Sequence, residues 1–247
     1  MSNEVVNKAL WWLCLVIAPA VLAGVELFHP AGFTREPGMF QFLSQPMPSD
    51  SHHMALAYSG PQWWFVLHMI QTPMVGLVSV GLCLLVGRVR ETDAAVAVAL
   101  AWLSRAATLV FLLYYTALDS IGGTGLGRLI LNTQALADSG QLTPEQVEGI
   151  SRLLNVNWTD PWVGGVGSFI SQTGSWAVFA SALFAAAALL LARRAPWPPL
   201  IVLVGFGWEL QTSHASPHGP IAFGLLIVAA LWLWFADFRT AEQTGTE

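Results

Sequence analysis

Six histidines and a few carboxylates carry most of the chemistry open to this chain. Glu26 and His29 stand three residues apart, which puts both side chains on one face of a helix end. His214 and His218 are four apart, the spacing at which two helical imidazoles clamp one metal ion, although Pro217 interrupts a regular helix through His218. His68 lies inside an apolar run, with Gln71 and Thr72 one turn further on. Asp119 closes another apolar run, and Glu209 sits within a third. Imidazole and carboxylate together form the donor set of zinc, iron and copper sites and of general acid–base catalysis. His52 and His53 adjoin Met54, with Met39, Met47, Met69 and Met74 not far off; imidazole plus thioether favours copper, above all Cu(I). The single Glu-x-x-His disfavours a di-iron bundle, which needs two copies and further glutamates.

These residues sit in a chain built for a bilayer. Of 247 residues, 55% are hydrophobic and 10% charged, against roughly 25% charged in soluble domains. Apolar runs of about twenty residues recur, the length needed to cross a hydrocarbon core of about 30 Å. The period-2 alternation of a membrane barrel is absent. The expected fold is an all-α, polytopic membrane helical bundle, one integral domain over 1–247, with spans at about 10–28, 63–87, 95–119, 166–192, 198–214 and 220–237. The first run is too long for a signal-peptide core and is expected to remain as a span.

Lys8, Arg88, Arg90, Arg193, Arg194 and Arg239 cluster at one set of span ends, whereas Arg35, Arg128 and Arg152 fall at the other. The positive-inside rule then places both termini in the cytoplasm. Two long segments, about 29–62 and 120–165, become extracytoplasmic, and all six histidines lie toward that outer side of a plasma or inner membrane. In the second segment Thr143-Pro144-Glu145-Gln146 reads as a capped helix start, and Val147, Ile150 and Leu154 give it an apolar face. The glycines of 122–127 read as a flexible span exit, since the lysine of a phosphate loop is missing. Cys14 and Cys83 are expected as packing residues without a disulfide.

Polarity is graded along five spans: each is apolar toward the arginine-bearing end and polar toward the histidine-bearing end. Polar side chains in hydrocarbon must face the bundle interior or water, so the gradient predicts a polar cup over an apolar floor. Such a floor disfavours a channel or transporter. His68 lies roughly 8 Å below the outer interface by helical rise. Arg105 and Glu209 fall at matching mid-membrane depth and are expected to pair as ions.

The H-x-x-x-H spacing is similar to that of seven-helix zinc hydrolases typified by ceramidases, as is Asp119 at a span end. Six spans, and Trp64 where a serine would precede His68, leave the chain outside that family. The favoured reading is an integral membrane metalloprotein, an enzyme by preference. Its metal ligands would be His29, His68, His214 and His218, with Glu26, Asp119 and Glu209 as catalytic carboxylates. The metal preference is copper, then zinc or iron. The chemistry is redox on a quinone-like substrate, or zinc-type hydrolysis of a lipid. Bis-histidine ligation of a b-type haem is the second reading. The third is a non-catalytic metal-binding or pH-sensing subunit, with an oligomer or complex partner. No basic cluster points to nucleic acid. The only lysine, Lys8, lies outside every span, which disfavours a retinal pigment.

Overall fold

The computed structural model describes residues 3–29, 39–44 and 60–244, and every regular element among them is helical. The first helical stretch comprises α1 (Asn3–Trp12), a π-helical turn at Leu13–Ile17 and α2 (Ala18–Glu26). The widened turn has a local cause: Pro19 offers no N–H and would crowd the carbonyl four residues back, so the helix loosens just before it. A short α3 (Met39–Ser44) follows, then α4 (Pro61–Val86) and α5 (Ala95–Leu118). The chain continues without a break through a second π-helical segment, Asp119–Gly125, into α6 (Leu126–Asp138). After α7 (Pro144–Trp158) come α8 (Phe169–Leu191), α9 (Trp197–Thr212) and α10 (His218–Thr244).

Five of these helical stretches are long and apolar enough to cross a membrane. The helix at the fifth predicted span, α9, has 16 residues, or about 24 Å at 1.5 Å per residue. It is nonetheless built into the bundle. The helices pack in a closed order: α2 on α4, α4 on α5, α5 on α8, α8 on α9, α9 on α10, and α10 back on α2. The interior is apolar, with Leu15, Leu22, Val78, Phe111, Phe206 and Phe223 all buried. Large apolar side chains such as Leu113, Ile201 and Val228 face outward, the reverse of a soluble surface and the pattern expected against lipid.

Two expectations change. The glycines of 122–127 do not form a flexible exit: they continue the helix as a π turn and then as α6. Arg105 and Glu209 do not pair. Helix α8 lies between α5 and α9, so equal depth does not bring the two side chains together. Arg105 lies over the Trp102 ring, 4.8 Å from its centroid, and Glu209 binds His218. At the arginine-bearing end, Arg194 grips Asp93 through two hydrogen bonds of 2.6 and 3.1 Å, joining the turns that follow α4 and α8. Cys14 and Cys83 are free thiols, and Cys14 is buried.

A small cap covers the other end. Phe40, Leu43, Trp64, Leu126, Ile130 and Leu154 form a second apolar cluster, drawing α3, α6 and α7 over the start of α4. The start of α7 is fixed by a full capping box: Gln146 N–H donates to the Thr143 hydroxyl, and Thr143 N–H donates to Gln146 Oε1.

Candidate metal centre

His29, His68 and His214 meet beneath this cap. One ring nitrogen from each lies within 4.8 Å of the other two. His29 comes from the turn after α2, His68 from the second turn of α4, and His214 from the link between α9 and α10. The rings meet edge to face, with centroids 4.8 Å apart for His29 and His214 and 5.5 Å for His29 and His68. His29 and His68 are buried.

The His68 imidazole is held by a backbone hydrogen bond. His68 Nδ1 lies 2.7 Å from the carbonyl oxygen of Trp64, which can only accept. Nδ1 therefore carries the proton, and Nε2 keeps its lone pair for a metal or an incoming proton. Trp64 is fixed in turn, its Nε1–H donating to the Gly122 carbonyl at 2.9 Å. Close approach of the π segment depends on the next glycine, because a Cβ on Gly123 would overlap the His68 ring. Gly219 does the same for α10, where a Cβ would collide with the carbonyl of His214 and crowd Glu26. The turn carrying His29 is tied to α4 by Trp63, whose Nε1–H donates to the Phe28 carbonyl at 2.8 Å.

Two carboxylates adjoin the histidines. Glu26 is fully buried, and neither carboxylate oxygen has a hydrogen-bond partner among the described residues. Asp119, first residue of the π segment, is 1% exposed and accepts from the Thr72 hydroxyl at 3.2 Å. Thr72 also reaches the His68 carbonyl at 3.0 Å, so one hydroxyl proton serves two acceptors. Tyr115 lies behind them, buried, with its ring 5.7 Å from that of His214 and its hydroxyl accepting from Gln71 Nε2 at 2.7 Å. Asp119, His68 and His214 line one small cavity with Trp64, Trp158 and Gly123. Its volume of about 10 Å3 holds a single water-sized sphere.

The other sequence candidates lie elsewhere. His218 and Glu209 form a separate pair, Nδ1 to Oε2 at 2.7 Å, with side chains 41% and 26% exposed. Thus the H-x-x-x-H spacing sends one histidine into the cluster and the other to a carboxylate outside it. Met69 points outward at 54% exposure, and Met74 packs against the apolar core. His52, His53, Met47, Met54 and Arg35 fall outside the described residues, as do the side chains of Met39 and Arg239. Sequence reading missed the structural roles of Trp64, Gly123, Gly219 and Trp158. The available signal was a pair of adjacent glycines within a run of otherwise helical character, which marks close packing as readily as a turn.

The residues fit a divalent ion. Tetrahedral bonds of 2.0–2.1 Å set ligand nitrogens roughly 3.3 Å apart, so closing the cluster asks for side-chain shifts of about 1 Å. Three neutral imidazoles and two ionised carboxylates would carry charge −2, which a divalent cation cancels inside a low-dielectric bundle. No protein-family model matches the chain, and no curated protein or solved structure matches it significantly.

Proposed function

We propose that this chain is an integral membrane metalloprotein whose His29–His68–His214 centre binds one divalent ion and performs hydrolytic chemistry on a lipid-soluble substrate. The convergence of three imidazoles from three separate helical elements carries this reading. Imidazole suits zinc, copper, iron and nickel alike. The thioethers of Met69 and Met74 lie away from the cluster, and the other groups of the copper argument, His52, His53, Met47, Met54 and the side chain of Met39, lie outside what the structure describes. Three histidines with an adjacent carboxylate resemble catalytic zinc sites in ligand type.

Bound there, a zinc ion would supply a nucleophile by lowering the pKa of a coordinated water. Asp119 lies in the same cavity as His68 and His214, where it can accept the proton of that water, with Thr72 orienting it. Glu26 supplies the second negative charge. The cavity as it stands admits one water-sized sphere, so an acyl substrate would reach the centre only by displacing the apolar wall formed by Trp158 and Leu118. Lys8, Arg88, Arg90, Arg193 and Arg194 at the far end support a cytoplasmic position for that end, with the centre facing the extracytoplasmic side.

Tyr115, a buried phenol beside His214, favours a second reading: a copper or iron redox centre acting on a quinol-like substrate. A b-type haem is disfavoured, since a cavity of about 10 Å3 is far below the roughly 300–1,000 Å3 of organic cofactor pockets.

Elemental analysis of protein purified gently in detergent tests the proposal. Near-equimolar metal is expected in the parent and in His218→Ala, with a drop of at least about tenfold in His68→Ala and His214→Ala. Retention of metal in both cluster variants would remove the ligand set. Zinc directs the next assay to ester or amide hydrolysis, whereas copper or iron directs it to quinol oxidation. A metal-free parent that still folds leaves a pH-sensing role instead.

A further inference from the structure

The connection from α7 to α8, residues 159–168, carries a single charged residue, Asp160. Its apolar side chains point out of the fold: Trp162 is 66% exposed, and Pro161, Val163 and Val166 are exposed with it. Phe169, at the start of α8, and Leu153 and Val156, in the second half of α7, extend this surface. The opposite face of α7 is already taken. Leu154 packs with Phe40 and Leu43 of α3, and Asn155 accepts from the Phe40 N–H at 3.2 Å. A contiguous exposed apolar surface marks an interaction with lipid or with protein.

Two observations select lipid. The first is the backbone of the turn itself. In hydrocarbon, peptide groups find no water and must be satisfied within the protein. Asp160 Oδ1 accepts from the N–H groups of Trp162 and Val163 at 2.8 and 2.9 Å, and the Asp160 carbonyl accepts from Gly164. The Gly165 N–H donates to the Trp158 carbonyl, and those of Phe169 and Ile170 reach back to the carbonyls of Pro161 and Trp162. The turn is folded so closely onto Trp158 that a Cβ on Gly165 would overlap the indole. The second observation is continuity. Phe169 stands 5.9 Å from Tyr114 of α5 and 5.8 Å from Trp162, centroid to centroid. An aromatic row thus joins the turn to the outward surface of α5, where Leu109 and Leu113 are exposed. Tryptophan and tyrosine at a span end are the side chains favoured at a membrane interface. The charged residues of α7, Glu145, Glu148 and Arg152, all precede Leu153, so the helix loses charge toward the turn.

We propose that the turn 159–168 and the exposed apolar face of α7 are seated in the lipid leaflet on the histidine side, so that the wall of the histidine cavity meets acyl chains there. Val166 makes the connection, since it lines that cavity and is 49% exposed. The seating stands apart from metal binding; only the sideways entry of an acyl substrate through this wall rests on the proposed function.

Spin labels attached to Val163→Cys, Val156→Cys and Glu145→Cys test the proposal, in the full chain carrying Cys83→Ala and with Cys14 buried. The proteins are reconstituted into phosphatidylcholine vesicles formed with a water-soluble nickel chelate on both faces. Power saturation then compares collisions with the chelate and with dissolved oxygen. Oxygen is expected to dominate for the labels replacing Val163 and Val156, and the chelate for the label replacing Glu145, a reversal of preference along one helix and its turn. Chelate dominance at all three positions would overturn the proposal by placing the turn in water. Shielding from both reagents would overturn it in favour of a second copy or another protein on this face. Phe169→Cys gives an independent reading should the Val163 variant unfold. The readout needs no metal, so a metal-free preparation that keeps the oxygen preference would defeat the proposed function and leave this inference standing. Parental metal content with chelate-dominated labels would do the reverse.

Discussion

Gly123 shows how closely the centre depends on what is absent from a side chain. A methyl group there would overlap the His68 imidazole, whose rotation is already fixed by the Trp64 carbonyl. Gly123→Ala is therefore expected to destabilise the protein by about 1–3 kcal/mol, as overpacking does, and to displace His68 Nε2. Thermal unfolding and metal content should fall together. An alanine variant with parental values of both would mean that the π segment yields freely. Much of the site's depth was legible in the sequence. His29, His68, His214, Glu26 and Asp119 all stand near the same level of their spans because polar groups are excluded from hydrocarbon. Azimuth was not legible. Arg105 and Glu209 match in depth but are screened from each other by α8, and His218 was inseparable from His214 until the turn between α9 and α10 was seen.

Among elements, α7 was the most predictable and the least involved in chemistry. Its start is written locally in Thr143 and Gln146, whose reciprocal hydrogen bonds need no tertiary context. The far end of α7 delivers Trp158 to the cavity wall, 6.1 Å from Trp64, and nothing in the local sequence announces that contact. Thr143→Ala should cost about 1 kcal/mol of stability through the lost cap. Metal content should remain at the parental level, because the capped end is remote from Trp158. A fall in metal on losing the cap would instead mean that α7 regulates entry to the centre. The π segment was the least legible element. Its glycines carry the same signal as a loop, and only packing against α4 decides between the two.

At the scale of the whole molecule, the arginine-bearing end adds a charge-assisted fork to its apolar packing. The Arg194 guanidinium beside Asp93 holds that carboxyl below the usual carboxylate range. A carboxylate lowered in the folded state stabilises fully above its ordinary pKa, and that stabilisation is lost as pH falls through the lowered value. Unfolding temperature in detergent should therefore decline on the acid side, and the decline should be shallower in Asp93→Asn, which starts lower at neutral pH. Identical acid slopes in the two proteins would show that the fork contributes nothing. The surrounding membrane character was plain from composition, but the circular order of the helices was not, since hydropathy carries no information on neighbours.

That circular order has a consequence for biosynthesis. Helix α10 closes the ring by returning to α2, which precedes the other helices of the ring in the sequence. His29 and His68 precede α5, whereas His214 is synthesised only after α8 and the whole of α9. A nascent chain thus holds an incomplete ligand set through most of its translation. The three-histidine cluster is completed only when the last hairpin docks, so an ion bound there would be acquired as a final step of maturation.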